Sequence, residues 1–519
     1  MTVTELGHPQ RVAVSKKGVV ATAHFAASEA GARMYAAGGS AVDAAIASAL
    51  ALGVCEPAAS GLGGQTMMLI HVPGQKTIAI DGSSRAPNRT PPAELNKAER
   101  LRGHRATTVP STPAALGYVQ AKFGKLSWAQ VLQPAIELAE KGFAVSELQV
   151  RLTLRELKHL QAGSARRMFL KKGKEPYAAG ETFCQPILAK TLKRLAEAGY
   201  EDFYNGDIAQ AIAADMAKND GLIQLDDLAQ IPNPIERRPV GGRFGSMRIF
   251  TFPPPAAGRS LLYILHLLEQ FSAKRRSLDT KEGALLFAEI TRRAMLDRQD
   301  RAVDPSFYPQ IEDKRLLDDD YARMVAKQIG TRIKTSGETT HLSTMDGDGC
   351  CVALTQSIER VYGSFAASPE LGFLYNNYMS AFEHEDISHP YYLRPNAVPW
   401  ASVAPTIVMS GSKPKLALGS PGSERIVSAI SQVLLRLENQ SLMDAITAPR
   451  LHCGLDGKVT LEASRMRSDI PGALKRRGFT VKEVEPFSFY LGCVQAVMRE
   501  RDGLVGVADL RRDGAASGA

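Results

Sequence analysis

The stretch Thr339-Thr340-His341-Leu342-Ser343, followed by Asp346-Gly347-Asp348-Gly349 and then Val352-Ala353-Leu354-Thr355-Gln356-Ser357, constrains this chain more than any other. Two Asp-Gly pairs mark a tight turn, because glycine takes positive φ at no steric cost. The flanking residues are small, β-branched or apolar, which suits two short strands of a largely buried sheet. Taken alone, they predict an ordinary core hairpin.

The same residues carry a second reading. A threonine at a chain start holds a nucleophile and a base in one residue. Its hydroxyl attacks while its α-amine, with an unperturbed pKa of about 7.7–8.0, accepts the proton. An internal threonine lacks that amine. Thr339 can therefore act this way only once the Glu338–Thr339 bond is cut, which divides the 519-residue chain into 1–338 and 339–519.

Composition narrows the function classes. There is no apolar run of about 18 residues, so no membrane span is expected. Met1 to Pro9 lack a basic start followed by an apolar segment, so a cytoplasmic protein without a signal peptide is expected. Six scattered cysteines show neither zinc spacing nor a disulfide framework, and no metal or organic cofactor is expected. The net charge of +9 arises from short basic clusters such as Lys171-Lys172-Gly173-Lys174, without interleaved aromatics. Solvated faces explain them better than nucleic-acid binding.

Along the chain, Gly18 to Val20 opens a strand, and Ser28 is the expected cap of a helix running through Met34 to Gly38-Gly39. Ala41 to Ala47 starts a second helix of small residues, with Asp43 in a buried capping or ion-pairing role. Ser60-Gly61-Leu62-Gly63-Gly64 precedes a strand at Met67 to Ile70; its spacing fits neither a P-loop nor a dinucleotide fingerprint. The region 115–300 is mostly helical by apolar spacing, strands return after Thr339, and a helix follows from about Arg425 to Asn439. This pattern predicts an α/β protein with helices flanking sheets.

The landmarks at 27–31, 38–45 and 60–64, then Val109-Pro110-Ser111-Thr112-Pro113, Phe203-Tyr204-Asn205-Gly206, Pro253-Pro254-Pro255, Phe373 to Asn377, Leu418 to Ser423, Ala448 to His452 and Ala508 to Gly514 continue in order over nearly the whole chain. Together with Thr339-Thr340-His341 they resemble the gamma-glutamyltransferase (glutathione hydrolase) family of N-terminal-nucleophile hydrolases. The resemblance implies a four-layer αββα sandwich formed jointly by two autoprocessed fragments, a large subunit 1–338 and a small subunit 339–519, in one intertwined domain. It assigns Thr339 as nucleophile, Ser357 as the hydroxyl supporting it, and Gly422 and Ser423 as the backbone donors of an oxyanion hole.

The family's clamp for a glutamyl group is altered. Ser83 stands at the position of a carboxylate-binding arginine, with Arg85 two residues on. Glu359 replaces an asparagine and Ala381 an aspartate, and of two adjacent serines Ala401 has lost the hydroxyl while Ser402 keeps it. Arg85, Glu359, Arg360 and Arg394 are the candidates to rebuild the clamp. Tyr391-Tyr392 reads as a pocket wall or as surface packing. The expected protein is a self-cleaved amidohydrolase or acyltransferase acting on a small-molecule amide, its fragments associated as a heterodimer or a dimer of heterodimers, without nucleic-acid or membrane partners. A true gamma-glutamyltransferase with a rearranged clamp, an acylase or amidase of the cephalosporin-acylase or oxamate-amidohydrolase type, and an uncleaved binding protein are the alternatives.

Overall fold

Strands Thr340–Asp346 and Cys351–Ser357 form the expected antiparallel hairpin, with Thr340 opposite Gln356 and Met345 opposite Cys351. The Asp346 carboxylate shapes the turn by accepting from the backbone N–H groups of Gly349 (3.0 Å) and Cys350 (2.8 Å), and Gly349 supplies the positive φ. The computed structural model describes residues 10–91, 95–231, 234–299, 318–326, 339–389 and 391–519. Glu338 lies outside them.

The hairpin sits inside a seven-stranded antiparallel sheet. Its order is Ala515–Gly518, Gly18–Thr22, Thr340–Asp346, Cys351–Ser357, Gln65–His71, Ile78–Gly82 and Ile235–Arg237. A second seven-stranded sheet runs Val12–Ser15, Leu504–Ala508, Gln495–Arg499, Lys413–Gly419, Thr406–Ser410, Met247–Thr251 and Val240–Phe244. Both sheets therefore combine segments from before and after Thr339.

Every residue of the two hairpin strands is buried, because both faces are covered. One face packs on the second sheet through a core that includes Val19, Ala21, Met67, Met345, Ala353, Ile407, Ala417 and Val497. The other lies under helices Phe25–Ala36, Ala41–Cys55 and Trp128–Lys141. The outer face of the second sheet is covered by helices Gly258–Glu269, Lys281–Gln299 and Arg425–Arg436. The result is an α+β fold with four layers, helix–sheet–sheet–helix.

Helix Ala41–Cys55 is nearly all buried, and its small side chains allow that close approach. Ser40 caps it and Asp43 returns a bond to the Ser40 N–H, completing a capping box. Burial works against the Asp43 carboxylate. Bonds from the Gln120 amide and the backbone at Ser40, Leu126 and Lys125 nevertheless hold its pKa below the usual value.

Ser28 is not a helix cap. The chain turns directly after strand Gly18–Thr22, so the helix begins at Phe25 with His24 as its cap, the imidazole Nδ1 accepting from Ala26 N–H at 3.3 Å. Ser28, one turn further in, donates to the Ala515 carbonyl at 2.6 Å and ties this helix to the last strand. All six cysteines are free, and among the described residues no helix is long and apolar enough to cross a membrane.

Candidate active site

In an antiparallel sheet directly opposed residues share a face, and side chains along one strand alternate between faces. His341 points toward the second sheet, where its ring lies so close to Gly419 that a Cβ there would overlap it. Continued one residue before the strand, the alternation sets Thr339 on that side. Thr340 points the other way, donating to Glu56 at 2.5 Å beyond the end of helix Ala41–Cys55; Glu56 is also paired with Arg512. The hairpin register, carried one residue past Thr340–Gln356, sets Thr339 against Ser357.

His341 is not a base for the site. Ser343 spends its one hydroxyl hydrogen on the Gln495 carbonyl (3.1 Å), so its oxygen accepts from His341 Nε2–H at 3.0 Å and Nδ1 accepts from Thr355 at 2.8 Å. Both nitrogens are satisfied with the ring neutral, and burial lowers its pKa to about 3. His452, bonded to Ser428 at 2.7 Å, is lowered to about 3 by burial and then by the Arg425 charge.

An imidazole with a depressed folded pKa binds fewer protons folded than unfolded, so stability falls as pH drops from about 6.5 toward that value. In an uncut Thr339→Ala protein, the denaturant midpoint should fall between pH 6.5 and 4.5, as each ring gives up at most about 1.4 kcal/mol of stability for every pH unit of acidification. A flat midpoint across that window would show that neither ring is held neutral.

Thr339 is 4% exposed. At the same end of its sheet lie Ser357, Gln65 directly opposite Ser357, and Ser83–Ser84 just past strand Ile78–Gly82. Ser357 Oγ accepts from the Glu359 N–H at 2.8 Å, and the buried Tyr378 phenol reaches both Ser357 and Gln65. Gly64 is required here because a side chain would run into the Ser357 carbonyl. The Ser-Gly-Leu-Gly-Gly loop is thus a close-packed support beneath Ser357.

Across from this row, strand Lys413–Gly419 ends in Ser420-Pro421-Gly422-Ser423. Gly422 (φ +117°) and Ser423 (φ +55°) both take positive φ. Their carbonyls accept from Arg425 N–H (3.1 Å) and Ile426 N–H (2.9 Å), turning the chain into helix Arg425–Arg436. Their own N–H groups precede a helix N-terminus, where developing negative charge is favoured.

Glu359, also at positive φ (+75°), is half-buried. Burial raises its pKa to about 7 against the opposing charge of Arg360. Ser83 donates to Asp81 at 2.5 Å, and Asp81 is held by Arg237 at 2.7 Å. A guanidinium therefore reaches the Ser83 neighbourhood from strand Ile235–Arg237. Arg85 donates to the Asn396 carbonyl at 3.2 Å.

Ala381 and Ala401 are buried methyl groups. Ser402 is half-buried and lies before strand Thr406–Ser410, at the Gly422 end of the second sheet. Arg394 is turned into its own loop, donating to Ile387 and Tyr392 carbonyls, and buried Tyr391 packs within that loop. Among the described residues no group of three His, Cys, Asp or Glu side chains is placed to hold a metal ion.

Sequence reasoning missed Tyr378, Gln65 and Arg237. The first two border recognised motifs, directly after Asn376-Asn377 and directly after the glycine loop, whereas Arg237 is 156 residues from the carboxylate it holds.

Two facing sheets between helices, with a buried threonine heading a central strand, form the architecture of N-terminal-nucleophile hydrolases. A family model described as gamma-glutamyltranspeptidase matches residues 27–519. The chain is 32% identical over 545 aligned residues to a glutathione hydrolase proenzyme of Escherichia coli K12, covering 97% of this chain and 91% of that protein. It is 30% identical over 535 residues to an acylase ACY 1 proenzyme of Pseudomonas sp. strain V22, covering 97% and 94%. The crystal structure of cephalosporin acylase from Bacillus halodurans matches at a TM-score of 0.90 with 27% identity, covering 100% of this chain and 99% of that one. The chain belongs to the gamma-glutamyltranspeptidase family and is an enzyme of the N-terminal-nucleophile hydrolase class.

Proposed function

We propose that the chain cuts itself between Glu338 and Thr339 and that Thr339 then cleaves an amide through a threonyl ester. The observation that carries this reading is the placement of Thr339. It heads a central strand, on the face toward the second sheet, with Ser357 opposite and the Gly422–Ser423 donors ending the facing strand.

In this reading the freed α-amine takes the proton of the Thr339 hydroxyl as Oγ1 attacks the substrate carbonyl. The Gly422 and Ser423 N–H groups stabilise the oxyanion, and Ser357 hydrogen-bonds the nucleophile. The C–N bond then breaks as the ammonium returns its proton to the departing amine. Water or an acceptor amine attacks the ester, releasing acid or a new amide and restoring Thr339. The two fragments, 1–338 and 339–519, stay together because they share both sheets.

The acyl group that suits this site best carries no α-ammonium. The family's aspartate position is a buried methyl at Ala381, Ala401 offers no hydroxyl, and Ser83 is committed to Asp81. That favours an acylase or amidase over a glutamyl transferase. Losing a buried charge pair costs about 2–5 kcal/mol, so glutaryl-p-nitroanilide should exceed gamma-glutamyl-p-nitroanilide in kcat/KM by about tenfold or more. The reverse order, abolished by Glu359→Gln, would instead mean that Glu359 holds the ammonium and that the protein is a glutamyl enzyme with a rearranged clamp.

A further inference from the structure

Four arginines from separate parts of the fold converge on a cleft of about 270 Å³. Arg102 ends the short helix Lys97–Leu101, and Arg155 comes from helix Glu147–Ala162. Arg360 follows Ser357 by three residues, and Arg425 follows Ser423 by two. The loop carrying Arg102 is fixed to the site side: Asn377 donates to the Leu101 carbonyl (3.1 Å) and Gly103 N–H donates to Ser364 (2.8 Å). Asn377 also accepts from the Arg360 N–H at 3.1 Å.

The charge is unbalanced and prearranged. Arg425 is only 3% exposed and stacks on the Tyr490 ring, 4.2 Å from its centroid. Arg102 donates to His159 Nε2 at 3.0 Å, a contact that leaves its charge uncompensated. Arg155 is paired with Glu156 at 2.9 Å. Among the described residues neither Arg102 nor Arg360 has an ion-pair partner, and Glu156 is the one carboxylate among the residues that line the cleft. Ser83, Arg85, Ala381, Ala401 and Ser402 do not line this cleft, and of the four candidates to rebuild the clamp only Arg360 does.

We propose that this cleft binds the amine side of the substrate and that this portion carries two or more carboxylates, as an acidic peptide or a small polycarboxylate does. The proposal rests on the amidase reading. The guanidiniums are spread around the cleft rather than focused on one point, and each planar fork matches one carboxylate. The described residues that line the cleft include no glycine-rich cradle of backbone donors of the kind that favours phosphate.

Two measurements test it. The first is calorimetric titration of uncut Thr339→Ala protein with propane-1,2,3-tricarboxylate. Binding is expected to weaken by about tenfold or more when Arg102→Gln and Arg360→Gln are added. Absence of binding, insensitivity to these substitutions, or equally tight binding of inorganic phosphate overturns the proposal.

The second compares turnover of two anilides sharing one acyl group, one amine bearing two carboxylates (5-aminoisophthalate) and one neutral. The anionic-to-neutral ratio of kcat/KM should fall about tenfold in the Arg102→Gln, Arg360→Gln enzyme, whose division into fragments shows that it folds. Thr339-dependent turnover with a ratio near one in the parent enzyme removes the cleft and spares the amidase reading. Tricarboxylate binding without any Thr339-dependent turnover removes the amidase reading and keeps the cleft as an anion site.

Discussion

The purified chain is expected to separate under denaturing conditions into two fragments, 1–338 and 339–519, whereas Thr339→Ala remains one full-length chain without amide turnover. The reason is that one hydroxyl is asked to serve twice. Before cleavage it attacks the Glu338 carbonyl, converting the peptide bond to an ester and freeing the amine; water then hydrolyses the ester. Afterwards the same oxygen attacks the substrate. Thr339→Ala removes both steps, and the loss of turnover should be at least about 10⁴-fold, the scale seen when a covalent nucleophile is deleted.

Thr339→Ser keeps the oxygen and should still cut, more slowly. Intact mass and the first residue of the smaller fragment read the result. A parent chain that stays uncut after long incubation would leave the uncleaved binding protein as the remaining reading.

The second large effect is structural. Arg511 is fully buried, donating to both Glu462 oxygens (2.8 and 2.7 Å), to Asp509 at 3.0 Å and to the Ala448 carbonyl at 2.9 Å. Asp509 is also paired with Arg450 at 2.7 Å, and all four side chains are almost without exposure. Arg511→Met leaves Asp509 with Arg450 and Glu462 with only the partly exposed Arg465, a loss from a buried ion-pair network that costs about 3–5 kcal/mol.

Denaturant unfolding in the uncut Thr339→Ala background measures it without interference from chain cutting. A loss below about 1 kcal/mol would show that water or neighbours replace the guanidinium. Adding Glu462→Leu should recover part of the loss, because it removes the buried carboxylate that has lost its buried partner and keeps only Arg465.

What the sequence made legible were features with local causes. The Asp-Gly turn, the small-residue helix after Ser40 and the buried role of Asp43 follow from spacing alone. The face of Thr339 was legible in principle from alternation, but what it faces depends on which sheet stacks against the hairpin. Ser28 misled because a cap is fixed by where the preceding strand releases the chain, and His24 took that place.

Arg237 at Ser83 was not legible, since a pairing between residues 81 and 237 has no local signature. The basic cleft was hidden for the same reason. Of its four arginines only Arg360 was singled out, as a clamp candidate, because the four lie on separate elements of the chain.

The strand order has one more consequence. Both sheets combine strands from before and after Thr339, so hydrogen-bonded strand pairs hold the two parts together without the backbone connection at that point once the sandwich has formed. Before the cut, threading those strands together is an intramolecular search whose cost grows only slowly with loop length. After it, rebuilding the same sandwich requires two separate chains to meet, and recovery becomes dependent on concentration. If the chain cuts itself as proposed, the uncut precursor is the folding form and the cut enzyme the working form. An enzyme molecule that unfolds after cutting cannot return by the route that made it.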